Sequence, residues 1–142
     1  RLLGFPTPVV IACNGHALAL GALLLLAADY RIGVEGNYKI GTNEVAIGMT
    51  LPYFGVELAR LRLSPLHFGR AVANAEIYTP QGAVEAGFLD VVVSEEELME
   101  TAMQSAQGLA KLDMAAHYAT KLRVREGAIS TISEAIEKEY GA

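Results

Sequence analysis

Only one cysteine, Cys13, occurs in the 142 residues, so no disulfide can form within the chain and a reducing compartment is the expected setting. Positive charge is in deficit. Eleven Lys and Arg face sixteen Asp and Glu, a net charge of −5, which argues against nucleic-acid binding as the main function. No apolar run approaches the roughly 20 residues needed to span a bilayer. The longest, residues 17–28, is interrupted by Gly21 and preceded by the turn signal Asn14-Gly15, so it reads as a buried core helix. No charged leader with a cleavage site opens the chain, and its first residue is Arg1; the sequence reads as a piece whose natural start is missing. A glycine-rich dinucleotide fingerprint, a P-loop and a G-x-S-x-G elbow are absent as well. His16, His67 and His117 lie too far apart for a local metal motif.

What is present is an ordinary globular composition, 52% hydrophobic and 19% charged, in a chain long enough to bury most of its apolar surface. Residues 8–13 form a short β-branched run that reads as a strand covered on both faces, with Cys13 as a small core residue. A helix from about Leu20 to Ala28 follows, apolar all round. Residues 30–34 read as the next strand, and residues 38–40 and 45–47 as short extended pieces. Helices are expected from Leu51-Pro52 to about Leu61, from Ser64-Pro65, and from Thr79-Pro80 to near Gly87, the last two with a hydroxyl N-cap and proline in the first turn. Residues 88–93 read as a strand. Ser94 and Glu97 fit a capping box for a helix to about Leu112, and the Glu95–Glu97 run reads as a solvated helix start. Two further helices, 114–125 and 129–139, are expected, with Lys121, Arg123 and Arg125 on a solvated face. The alternation of strands and helices predicts an α/β core followed by a helical region.

Glu44 is the only carboxylate in Gly41-Thr-Asn-Glu-Val-Ala-Ile-Gly-Met49. On residue type alone, a strand-edge glutamate facing water is the commoner outcome. Its apolar neighbours favour proton transfer instead, because a carboxylate withdrawn from water is a stronger base.

Four segments in order carry a resemblance: Pro8-Val-Val-Ile-Ala-Cys-Asn-Gly-His-Ala-Leu-Ala-Leu-Gly21, Ala28-Asp-Tyr-Arg-Ile32, Gly41-Thr-Asn-Glu-Val-Ala-Ile-Gly48, and Tyr78-Thr-Pro-Gln-Gly-Ala-Val-Glu-Ala-Gly-Phe-Leu-Asp-Val-Val-Val93. Together they resemble the enoyl-CoA hydratase/isomerase, or crotonase, family. The resemblance implies part of a ββα spiral core over residues 1–93, with C-terminal helices over 94–142. It also implies an acyl-CoA thioester as the bound partner, no cofactor beyond the coenzyme A of the substrate, and a homotrimer or dimer of trimers including the upstream part of the same protein. The expected location is the cytoplasm in a bacterium, and the mitochondrion or peroxisome in a eukaryote.

By the same resemblance, the turn Ala19-Leu20-Gly21 supplies an oxyanion-hole donor, the Leu20 N–H, with a second donor in the upstream segment. The first amides of a helix lack intrahelical acceptors and carry partial positive charge, which suits that role. Leu20 departs from the family's glycine pattern. The hydratases' first glutamate falls on Leu23 and their second on Glu44. A lone carboxylate with Asn43 before it resembles the family's Δ3,Δ2-enoyl-CoA isomerases, and Leu51, Tyr53 and Phe54 resemble their aromatic segment along the acyl pocket. Two rivals stay open on the sequence: a hydratase or other acyl-CoA lyase or hydrolase on the same scaffold, and an inactive oligomeric interaction module.

Overall fold

In the computed structural model, which describes residues 1–141, the chain is a mixed α/β structure whose strands pair in parallel. β1 (Val10–Cys13), β3 (Tyr30–Val34) and β5 (Val91–Val93) form a three-stranded sheet in the order β1-β3-β5. Val10 is opposite Tyr30 and Ile32 is opposite Val91. A second, two-stranded sheet joins β2 (Ala17–Leu18) to β4 (Ile40–Gly41). The crossover from β1 to β3 runs through α1 (Leu20–Ala27), where Leu and Ala, both good helix formers, fill the segment. Six residues of β3 and its surroundings show why the sequence reads so apolar here. Ile32 and Val34 pack on one face against Leu98 and Ala102 of α5 (Leu98–Leu109). On the other face, a Cβ at Gly33 would lie 2.5 Å from a methyl of Leu89, so any larger residue there would have to displace that side chain.

The larger core gathers α1, α2 (Tyr53–Arg62), α3 (Pro65–Val72) and α4 (Pro80–Ala86) around Leu23, Leu26, Leu58, Phe88 and Leu89. Thr79 caps α4 by accepting the Gly82 N–H at 3.1 Å. Ser64 holds the corresponding place before α3 but makes no side-chain cap bond. Glu97 reaches back to the Ser94 N–H at 3.2 Å, half of the expected capping box, and α5 itself begins at Leu98 and ends at Leu109.

Three expectations are corrected. Residues 45–47 are not extended: Val45–Ile47 form one 3₁₀ turn, because the Ile47 and Met49 amides both return to the Glu44 carbonyl and Gly48 takes the left-handed conformation (φ 79°). The two expected C-terminal helices are one, α6 (Met114–Tyr140). Gly127 does not break it, and Ile129 and Ile132 beyond it pack on the main core. Finally, Lys121 and Arg125 do not lie on a solvated face. Both are buried against Asp29, Lys121 Nζ at 2.6 Å and an Arg125 guanidinium nitrogen at 2.9 Å. They also donate to the Thr7 and Leu3 carbonyls, at 3.2 and 2.8 Å. Arg123, one turn away from neither, remains exposed.

Burial by itself would raise the Asp29 carboxyl, but bonds from Lys121 and the Val9 N–H, with the charge of Arg125, hold it below the usual carboxylate value. Asp90 is held low in the same way, burial being outweighed by its two-pronged pairing with Arg31. A depressed carboxylate stabilises the fold above its unfolded value and loses that contribution as pH falls through the folded one. Stability is therefore expected to hold at neutral pH and decline below about pH 4, as followed by denaturant midpoints across a pH series. Asp29→Asn leaves two buried cations unpaired and is expected to cost about 3–5 kcal/mol at neutral pH.

Candidate active site

The parallel pairing of β2 with β4 brings two otherwise distant segments to one edge. Ala17 is opposite Ile40 and Leu18 is opposite Gly41, and the Ala19 N–H extends the ladder to the Gly41 carbonyl at 3.1 Å. From that edge one chain turns into α1 at Leu20. The other continues through Thr42 and Asn43 to Glu44. β4 is held from its other side by Tyr78, which exchanges both backbone bonds with Ile40 at 2.8 and 3.0 Å. Thr42, fully buried, donates its hydroxyl to the Ala71 carbonyl at 2.9 Å. Gly41 has φ 152°, and a Cβ there would lie 3.0 Å from an Ile77 methyl and 3.1 Å from the Glu76 carbonyl.

Glu44 is 6% exposed. Its carbonyl accepts the Ile47 and Met49 amides, at 3.1 and 2.9 Å, while its buried Oε2 has no hydrogen-bond partner. The neighbouring Asn43 Oδ1 is also buried without one. Buried polar atoms left unpaired are rare and costly, and they concentrate where a group is kept free for chemistry. Among the described residues Glu44 takes part in no ion pair. The 3₁₀ turn that follows leaves Val45, Ile47 and Met49 exposed.

At the start of α1 the first helical amide with an acceptor is that of Leu23, bonded to the Ala19 carbonyl at 3.1 Å. The Leu20 and Gly21 amides precede it and have no intrahelical acceptor. The Leu20 side chain is 62% exposed, and Leu24, one turn on, is exposed beside it. The apolar helix is thus buried on one face only, through Ala22, Leu23, Leu25, Leu26 and Ala27. Leu23 is a core residue. A Cβ at Gly55 would lie 3.2 Å from a Leu23 methyl and 3.3 Å from Leu51 Cγ, so the segment after Glu44 returns to the same glycine that Leu23 covers.

Leu51 is buried. Phe54 lines a cavity of about 280 Å³ with Leu20, Leu23, Leu24, Ile132 and Ile136. Tyr53 is not among its lining residues. It is half exposed, with its N–H bonded to Glu139 at 2.9 Å and Lys138 Nζ 3.8 Å above its ring. The contribution of α6 to this wall, through Ile132 and Ile136, was missed in the sequence because it depends on a helix more than 70 residues away. A larger hollow, about 430 Å³, lies beside Asp29, Lys121 and Arg125, but those charges are already paired with one another. His16 accepts the Lys39 N–H and His67 meets the Tyr78 hydroxyl; neither joins Glu44.

A buried carboxylate with a free oxygen, three residues beyond a strand end bonded to a helix start, and helix-start amides that lack intrahelical acceptors are the groups needed to move a proton at one atom while negative charge is held on another. The chain matches the family description Enoyl-CoA hydratase/isomerase over residues 1–141, and it belongs to that family. It is 55% identical to a solved enoyl-CoA hydratase/isomerase family protein from Pseudomonas syringae, with a TM-score of 0.96 over 97% of this chain and 60% of that one. Human mitochondrial enoyl-CoA delta isomerase 1 is 32% identical over 126 residues, covering 87% of this chain and 41% of that protein. The short-chain-enoyl-CoA hydratase of Clostridium acetobutylicum is 31% identical over 147 residues, 100% of this chain and 54% of that protein. The chain spans about half the length of these two relatives.

Gly41→Ala forces a Cβ into both a strained backbone and an occupied space. It is expected to lower unfolding stability by about 1–3 kcal/mol, measured by chemical denaturation.

Proposed function

We propose that the site is that of an enoyl-CoA isomerase which moves a double bond from C3 to C2 of an acyl-CoA thioester. The observation that carries this reading is a buried carboxylate with an unpartnered oxygen, Glu44, together with the family resemblance, by which the hydratases' other glutamate falls on the apolar core residue Leu23. Addition of water asks for one group to hold and deprotonate the water while the α-carbon is protonated. A double-bond shift needs only one base.

In this mechanism the Glu44 carboxylate removes a proton from C2 of the 3-enoyl thioester. The C2–H bonding electrons form a C1=C2 bond while the thioester C1=O pair moves onto oxygen, giving a dienolate; when C4 is protonated, the C3=C4 pair forms the C4–H bond, the C1=C2 pair moves to C2=C3 and the oxygen pair restores C1=O. The Leu20 N–H donates to that oxygen. The same carboxylate then returns its proton to C4, giving the 2-enoyl thioester with no net change in protons or electrons. Ala19 and Gly21 flank the donor, Asn43 flanks the base, and Leu51 and Phe54 belong to the acyl side, with Tyr53 at the start of α2 but outside the cavity wall. The mechanism asks for nothing beyond the coenzyme A of the substrate. Association into trimers is part of the proposal, supported by the exposed apolar side chains of Val45, Ile47 and Met49 beside the site. No helix among the described residues is long and apolar enough to cross a membrane.

Incubating the intact protein with 3-enoyl-CoA and identifying the product tests the reaction. The expected product is 2-enoyl-CoA. A 3-hydroxyacyl product from 2-enoyl-CoA at comparable rate would favour a hydratase, free coenzyme A a hydrolase, and no turnover an interaction module. Glu44→Gln is nearly isosteric and removes the base, so turnover is expected to fall by about 10²-fold or more. A fall of less than about threefold would exclude Glu44 as the general base.

A further inference from the structure

We infer that Ala19 is a positioning residue, which aims the Leu20 N–H by holding a backbone conformation that its own side chain disfavours. The inference rests on the isomerase reading, in which that N–H meets the thioester oxygen.

Ala19 has φ 51° and ψ −122°. Residues with a Cβ avoid this region, whereas glycine enters it freely. Only one other non-glycine residue among those described has positive φ, Ala75 at 52°, in the turn after α3. A strained residue persists where its surroundings over-determine it, and Ala19 is fixed on both sides. Its N–H is bonded to the Gly41 carbonyl, and its carbonyl accepts the Leu23 N–H, each at 3.1 Å.

The second bond determines the direction of the donor. The Ala19 carbonyl and the Leu20 N–H belong to one planar trans peptide unit and point in opposite directions. Because the carbonyl points into the helix toward Leu23, the Leu20 N–H points away from it. The first bond determines where that donor sits relative to the base, since Gly41 leads in three residues to Glu44, whose Oε2 is buried and unpartnered. An alanine methyl limits the alternative conformations of this turn; a glycine would release them. Ala19 therefore gives up stability to keep the donor aimed.

Ala19→Gly separates these two effects, because stability and turnover are expected to move in opposite directions. In the intact protein, the thermal midpoint should rise as the strain is relieved. With 3-hexenoyl-CoA as substrate, kcat should fall about tenfold while KM changes less than about twofold. Ala19→Ser, which keeps a Cβ, should retain kcat within about twofold. A raised midpoint with unchanged kcat would overturn the inference while leaving the isomerase reading intact. A lowered midpoint would overturn it too, by removing the strain on which it depends. Failure of the unsubstituted protein to isomerise the substrate would instead overturn the reading, and the inference with it.

Discussion

The β2–β4 ladder is only two residues long on each strand, yet the geometry of the site depends on it. Its last bond, from the Ala19 N–H to the Gly41 carbonyl, fixes the start of α1 relative to the strand that leads to Glu44. So short a pairing is not stable alone. It is held because β4 also pairs with Tyr78, because Thr42 is bonded to Ala71, and because Ile77 and Glu76 pack tightly around Gly41, where a Cβ would lie 3.0 and 3.1 Å from them. Backbone bonds on both sides of one strand thus fix the relation between a helix start and a carboxylate.

A second constraint operates at long range. Asp29 ends the crossover from α1 and draws Lys121 and Arg125 of α6 onto itself, and those two cations in turn bind carbonyls of the first seven residues. Buried ion pairs contribute little net stability relative to apolar packing, but their partners are hard to exchange. Here they select one placement of a 27-residue helix. That placement brings Ile132 and Ile136 to the cavity beside Leu20 and Leu23, and Glu139 to the start of α2.

The proposed chemistry rests on an imbalance of polar groups. Glu44 is buried without a cation, and the side of α1 that faces the core offers only Leu, Ala and their methyl groups. In the proposed isomerase reading, these apolar surroundings suit a reaction in which one proton leaves and returns, with a backbone amide as the partner for developing charge.

Much of this was legible in the sequence because it depends on local pattern. The β-branched run of β1, the Leu- and Ala-rich α1, the Thr79-Pro80 cap and the lone Glu44 in an apolar stretch are all written in neighbouring residues. Where local pattern misled, a distant partner or a backbone fold-back was responsible. Val45, Ala46 and Ile47 look like a strand until the Met49 amide returns to Glu44. Lys121 and Arg125, four residues apart, look like a solvated helix face until Asp29, 92 residues from Lys121, is placed beneath them. The stretch between residues 125 and 129 reads as a gap between two helices, but the packing of residues on either side carries α6 through it.

The sequence by itself pointed to candidate groups for the proposed chemistry: a carboxylate in an apolar stretch, an apolar helix start upstream of it, and, by the family resemblance, leucine where the hydratases carry another acid. Only the tertiary structure decided that Glu44 is buried with an oxygen unspent, that Ala19 is strained, and that α6 walls the cavity. Residue type and periodicity are properties of neighbours along the chain, whereas desolvation, backbone strain and ion pairing depend on what the folded chain brings against each residue.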